Sequence, residues 1–161
     1  MGGKKPFVDK LQRVFDEGLY DPANEPDIAY AHLFSISRVR SGARRKSCTA
    51  FAEVFKNAPD GIPGNDDTGT MSAWAIFNMM GFYPDCPGEP AYTLSTPVFD
   101  KVTIKLDPKY WGRDQLVIET ERPSAESLYI REMELGGKKL SRYRITHEEL
   151  VQSGKLRFRL R

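Results

Sequence analysis

Two hydrophobic periods divide this chain. Up to about Pro90 apolar residues recur at helical spacing, and beyond it they alternate with polar ones. Phe7, Leu11, Val14 and Phe15 form an i, i+4, i+7, i+8 stripe, which predicts an opening helix. Pro6 suits its first position and Gly18 stops it. Residues 19–27 contain Pro22 and Pro26 and read as a loop, with a short helix beginning at Asp27. A further helix is expected over residues 41–57, with Cys48, Phe51, Ala52 and Phe55 on one face. Its first turns carry Arg44, Arg45 and Lys46, which oppose the helix dipole. Residues 59–69 are a loop rich in Gly, Pro, Asn and Asp. Residues 70–81 then read as a buried helix, because Met71, Trp74, Ala75, Ile76, Phe77, Met79 and Met80 cover most of its circumference. Residues 83–90, broken by Pro84, Pro87 and Pro90, form another loop.

In the second half Val102, Ile104 and Leu106 alternate with Thr103 and Lys105, the mark of a half-buried strand. Further strands are expected at residues 116–120 and 128–135, with a hairpin turn at Gly136-Gly137. Thr146 and Glu149 match a capping box opening one short helical turn. Leu156, Phe158 and Leu160 alternate with Lys155, Arg157, Arg159 and Arg161 in a last strand. The expected class is therefore α+β, with helices first and a small antiparallel β unit after them, divided as residues 1–92 and 93–161.

At 161 residues the chain can bury a core, and 40% hydrophobic with 29% charged content marks it as globular rather than disordered. A net charge of +2 is too small to draw it to nucleic acid or a membrane surface. No apolar run approaches the roughly 20 residues of a membrane span. Met1-Gly2-Gly3-Lys4-Lys5 lacks the apolar stretch of a signal peptide, so no export signal is expected in this chain, whatever a longer parent carries. Cys48 and Cys86 match no metal or redox spacing with each other or with His32 and His147, and read as ordinary thiols.

The chemistry concentrates in Gly64-Asn65-Asp66-Asp67-Thr68-Gly69-Thr70-Met71-Ser72-Ala73-Trp74. Two adjacent carboxylates and an amide sit on a glycine-flanked loop that feeds a buried helix. The helix N-terminus favours a charged carboxylate, which suits a general base that polarises water. The commoner use of such an Asx-rich turn is a helix cap. Asn24-Glu25-Pro26-Asp27 offers oxygen ligands for a hard cation such as calcium, though a loop with a cap at Asp27 explains it as well, and no EF-hand loop can be built. Trp74 lies in an apolar helix and is expected in the core. His147, within the capping-box turn, reads as structural.

The 64–74 block, with Gly81-Phe82-Tyr83-Pro84 and Pro97-Val98-Phe99-Asp100-Lys101-Val102-Thr103-Ile104, resembles the C-terminal signature of glycoside hydrolase family 92, the calcium-dependent α-mannosidases. Asn24-Glu25-Pro26-Asp27, Ile145-Thr146-His147-Glu148 and the strand at residues 154–160 resemble further family motifs, so the likeness covers most of the chain. It implies an (α/α)6 barrel with a β-sandwich, of which residues 1–92 would be part of the barrel. It implies inverting, calcium-dependent hydrolysis of α-mannosides of glycans, of α-1,2 type, in a periplasmic or secreted parent. Asp67 then resembles the carboxylate that activates water, with Asp66 beside it as second candidate. Asn65 resembles a substrate contact, and Glu25 and Asn24 resemble metal or sugar ligands.

Two departures matter. The family's leaving-group acid comes from an earlier part of the barrel, so no residue here inherits that role. Residues 35–47 are basic and lack any aromatic side chain, where the family carries aromatic and amide residues near the sugar. The reading is thus a C-terminal fragment of an α-mannosidase, inactive alone, with its missing N-terminal part as a candidate partner. Its alternatives are a carbohydrate- or calcium-binding module and a non-functional truncated remnant.

Overall fold

A computed structural model describes residues 2–36 and 54–161 of the chain. Of the expected helix over residues 41–57 only residues 54–57 are described, and residues 55–57 are not helical; its remainder and the basic stretch of residues 37–47 lie outside the described residues. Two compact units form, Met1–Phe77 and Asn78–Arg161.

In the first unit the amphipathic stripe builds α1 (Lys4–Asp16), which begins two residues before Pro6. Proline is tolerated there because first-turn N–H groups have no intrahelical partner. Leu11 and Phe15 are buried with Phe34, and Phe7, Val8, Val14, Tyr20, Tyr30 and Leu33 pack around them. The Phe15 ring lies 4.6 Å from that of Tyr20 and 5.5 Å from that of Phe34. Full burial of each such side chain stabilises by about 1.5–3 kcal/mol. A 3-10 turn, Glu25–Asp27, leads into α2 (Tyr30–Ile36). Next among the described helices is α3 (Thr70–Met80), within which the two units divide. Met71, Trp74 and Ala75 are buried as expected, whereas Ile76 is 51% exposed, so the helix is not covered all round.

The second unit holds two sheets. The smaller orders β1 (Phe82–Tyr83), β2 (Ala91–Leu94) and β7 (Arg144–Thr146), all antiparallel. Neither β1 nor β2 was legible, because both are short and flanked by the prolines of residues 84–90. The larger sheet orders β3 (Lys101–Lys105), β4 (Gln115–Glu121), β8 (Lys155–Leu160), β5 (Ile130–Leu135) and β6 (Lys138–Leu140). Here the expectation of a purely antiparallel unit is corrected, because β8 runs parallel to β4. A parallel neighbour needs a crossover connection rather than a tight turn. The chain supplies it through β5, β6, β7 and α5 (His147–Ser153).

β8 is central, with Leu156, Phe158 and Leu160 buried in alternation with Lys155, Arg157 and Arg159. Gly136 and Gly137, both at positive φ, close the β5–β6 hairpin as their sequence demanded. The capping box on α5 is complete. Glu149 N–H donates to Thr146 Oγ1 at 3.1 Å, and Thr146 N–H donates to the Glu149 carboxylate at 2.9 Å. Between β3 and β4 stands a one-turn helix, α4 (Pro108–Trp111), which the alternation did not reveal.

Candidate active site

The first unit builds the candidate site from two loops. Gly64 lies at φ +72°, and a Cβ there would stand 3.2 Å from the carbonyl oxygen of Ala23. A side chain at position 64 would push against this backbone, so glycine lets the two loops touch. Asn24 and Asn65 each adjoin that contact in sequence. The structure therefore brings together the two stretches singled out for their oxygen chemistry.

The adjacent carboxylates on the second loop are used differently. Asp66 is half-buried and accepts from Ser72 N–H at 2.9 Å and from Ser72 Oγ at 3.3 Å. Its carbonyl accepts from Gly69 N–H and Met71 N–H, both at 3.1 Å. Asp66 thus satisfies N–H groups of the first turn of α3, the ordinary work of a cap.

Asp67 is half-buried, and no described group pairs with its carboxylate. Its backbone lies in the left-handed region at φ 50°, followed by Thr68 at φ 60°. Two such residues together cost on the order of 1–3 kcal/mol each and persist only where neighbours hold them. Here Thr70 N–H and Thr70 Oγ1 both donate to the Asp67 carbonyl, at 3.2 and 2.8 Å. Asn65 Oδ1 accepts from Asp67 N–H at 3.0 Å. The result is a carboxylate on a fixed, strained turn with no described partner.

Asn65 is exposed, and its carbonyl oxygen is occupied by this bond. Ser72 and Thr70, which fix the pair of aspartates, were not singled out in the sequence. Their helix-start positions gave only a generic hint.

On the first loop Asn24 opens the 3-10 turn with extended backbone and makes no side-chain cap bond. The side chains of Asn24 and Glu25 are exposed and pair with no described group. Asp27 is engaged, accepting from Asp21 N–H at 3.2 Å. Among the described residues no group of three or more His, Cys, Asp or Glu is arranged to hold a metal ion. Trp74 is fully buried, its ring 5.9 Å from that of Phe55, so it packs the core as expected. His147 belongs to the second unit, where its Nδ1 lies 2.7 Å from Tyr92 Oη.

Known proteins resemble this chain along its whole length. The glycosyl hydrolase family 92 catalytic domain matches residues 1–161. A protein of Arthroderma benhamiae named an uncharacterized secreted glycosidase is 30% identical over 161 residues, which is 99% of this chain and 20% of that protein. The GH92 alpha-mannosidase BT3965 of Bacteroides thetaiotaomicron has a structure that superposes with TM-score 0.85 at 29% identity, over 98% of this chain and 22% of its own. That enzyme has also been captured in complex with mannoimidazole. The GH92 inverting mannosidase BT2199 of the same bacterium gives TM-score 0.72 at 27% identity, over 99% of this chain and 24% of its own. The chain thus spans about a fifth of the length of these relatives. No described helix is long and apolar enough to cross a membrane. A match along its whole length places this chain in glycosyl hydrolase family 92.

Proposed function

We propose that the chain supplies the water-activating side of an inverting α-mannosidase acting on mannose-containing glycans, with Asp67 as general base. One observation carries this reading: of two adjacent carboxylates, Asp66 is tied to Ser72 while Asp67 is held on left-handed backbone with no described partner.

In this mechanism a water stands between the Asp67 carboxylate and the anomeric carbon. Asp67 takes a proton from the water as its oxygen bonds to the anomeric carbon. The bond to the leaving oxygen breaks on the opposite face, and an acid there protonates that oxygen. Inversion needs the two carboxyl groups roughly 6.5–9.5 Å apart so that water fits between them. We assign the acid to a part of a longer protein outside this chain, which spans a fifth of its relatives' length. Asp66 and Asn65 position Asp67, the first by capping α3 and the second through the 3.0 Å bond to its N–H.

Calcium fits the donors present. Asn24 and Glu25 offer uncommitted hard oxygens beside the Ala23–Gly64 contact. Calcium takes six to eight oxygens, so these two side chains are part of a shell that carbonyls, water, sugar hydroxyls and other residues complete. Bound there, calcium would grip the sugar's hydroxyl groups and orient the ring. Secretion or a periplasmic location is proposed for a longer parent, on the name of the Arthroderma relative.

The test replaces the matched region of the BT3965 mannosidase with residues 1–161 and assays the chimera on an aryl α-mannoside with calcium. Proton NMR should show β-mannose as the first product, and Asp67→Asn should lower turnover about 10²–10⁴-fold. Residues 1–161 alone should show little or no turnover. An α-anomer formed first, or turnover indifferent to Asp67→Asn, would sink the proposal. A panel of mannobioses tests the expected α-1,2 preference, and calorimetric titration with calcium, alongside a Glu25→Gln variant, tests the metal.

A further inference from the structure

The turn that carries Asp67 runs left-handed for three residues. Asp67 lies at φ 50°, Thr68 at φ 60° and Gly69 at φ 95°. Only glycine takes such angles freely, and a β-branched threonine there is an outlier. Packing does not impose the turn. Thr68 is exposed, and a Cβ built on Gly69 would meet nothing within 4 Å. What holds it is hydrogen bonding to the backbone of Asp67 on both sides. Asn65 Oδ1 accepts from the Asp67 N–H at 3.0 Å. On the other side Thr70 donates twice to the Asp67 carbonyl, from Oγ1 at 2.8 Å and from its N–H at 3.2 Å.

The two bonds from Thr70 are not equivalent. Thr70 is the first residue of α3, so its N–H is one of those that a helix leaves without an intrahelical partner. Any residue but proline at position 70 could make that bond, which is at the long end of the ordinary range. The hydroxyl bond is the shorter, and it is what threonine adds. It is partly buried, where water competes less for it. The neighbouring donors serve Asp66 instead. Gly69 N–H and Met71 N–H reach the Asp66 carbonyl, and Ser72 N–H and Oγ reach its carboxylate. The start of α3 thus divides its work, and Thr70 is the part of it that acts on Asp67.

We propose that Thr70 is a positioning residue, whose hydroxyl clamps the Asp67 carbonyl and thereby fixes where the Asp67 carboxylate points. The direction of a Cα–Cβ bond follows from the backbone angles of its residue, and without the clamp a strained residue relaxes out of the left-handed region. Thr70 itself touches neither water nor substrate in this role. The catalytic part of the inference rests on the general-base reading of Asp67 above, whereas the clamp rests on the geometry of the turn.

The test compares Thr70→Val with Thr70→Ser in the chimeric enzyme. Valine keeps the branched shape and loses the hydroxyl, and serine keeps the hydroxyl. Thr70→Val should lower kcat about 10- to 100-fold with KM changed less than about twofold, because a misplaced base loses rate rather than binding. Thr70→Ser should restore kcat to within about threefold of the parent, one retained hydrogen bond being worth that much. In an Asp67→Asn background Thr70→Val should cost less than about a further twofold, since a clamp acting through Asp67 has nothing left to aim. Hydrogen exchange on residues 1–161 reads the clamp without turnover. In Thr70→Val the Asp67 amide should exchange about five- to tenfold faster, while the Ala73 amide, bonded to the Gly69 carbonyl, should not. An unchanged Asp67 amide, or an Ala73 amide released as much as that of Asp67, overturns the clamp. Unchanged kcat in Thr70→Val, the same loss in Thr70→Ser, or equal losses in both backgrounds overturns its role in positioning. Turnover indifferent to Asp67→Asn, with the Asp67 amide still released by Thr70→Val, would instead remove the general-base reading and leave the clamp standing.

Discussion

The loop at residues 64–69 and the outer face of the five-stranded sheet both carry dense charge, but they arrange it in opposite ways. On the sheet each carboxylate of the ladder meets a cation. Glu119 lies 2.8 Å from Lys155 and 3.0 Å from Arg157. Arg159 bridges Glu121 and Glu132 at 3.0 Å and Glu134 at 2.6 Å. Such pairs are largely solvated, so each contributes little to stability. In the loop the Asp66 carboxylate accepts from the N–H and hydroxyl of Ser72, and Asp67 is left without a described partner on backbone that costs energy to hold. Neutralised charge on regular structure reads as scaffolding. An unpaired carboxylate on strained backbone reads as chemistry.

The largest test of that contrast pairs one charge from each region in the chimeric enzyme. Asp67→Asn removes the proposed proton acceptor and should lower kcat about 10²–10⁴-fold with the thermal midpoint unchanged or raised. Glu121→Gln removes one partner from a ladder that keeps others. It should leave kcat unchanged and shift stability by less than about 1 kcal/mol. Equal losses of activity from the two changes would erase the distinction.

A smaller effect separates the two aspartates. Asp66→Ala loses the cap on α3 and should destabilise by about 0.5–2 kcal/mol in chemical denaturation. Its turnover should fall less than that of Asp67→Asn, and its pH–rate profile should keep its shape. Loss of the acidic limb of that profile in the Asp66 variant would make Asp66 the base.

The smallest effect belongs to the ladder. Glu119 is held below its ordinary value of 4.5 by hydrogen bonds from Lys155 and then Arg157, and Glu132 by Arg159 foremost. Hydrogen bonds that Arg159 donates to Glu121, Glu132 and Glu134 push its guanidinium up, so it stays charged throughout. A carboxylate depressed in the folded state stabilises fully above its unfolded value. That contribution is lost as pH falls through the lower folded value. The thermal midpoint should therefore hold from pH 7 to about 5 and decline below about 4.5, less steeply in high salt. A midpoint flat down to pH 3 would show that the ladder contributes nothing.

Much of the fold was legible because the period of burial is written locally. Phe7, Leu11, Val14 and Phe15 announced α1, the 70–81 run announced α3, and Leu156, Phe158 and Leu160 announced β8. The capping box and the Gly136-Gly137 turn were legible for the same reason, since both partners lie within a few residues. β1, β2 and β7 were not, because two- to four-residue strands have no period to read and gain their stability from pairing with one another.

The sequence by itself determined that helices precede strands, that residues 64–74 carry the densest chemistry, and that they match family 92. Tertiary structure decided what no local pattern encodes. It set β8 parallel to β4 across an intervening span of more than thirty residues. It brought Gly64 against Ala23, joining the two oxygen-rich loops. It also told Asp66 from Asp67. The two are neighbours of identical chemistry, and only the φ of one backbone and the reach of Ser72 to the other give them different work. Side-chain identity is fixed by sequence, whereas the partners that satisfy or spare a charge are fixed by where the chain returns.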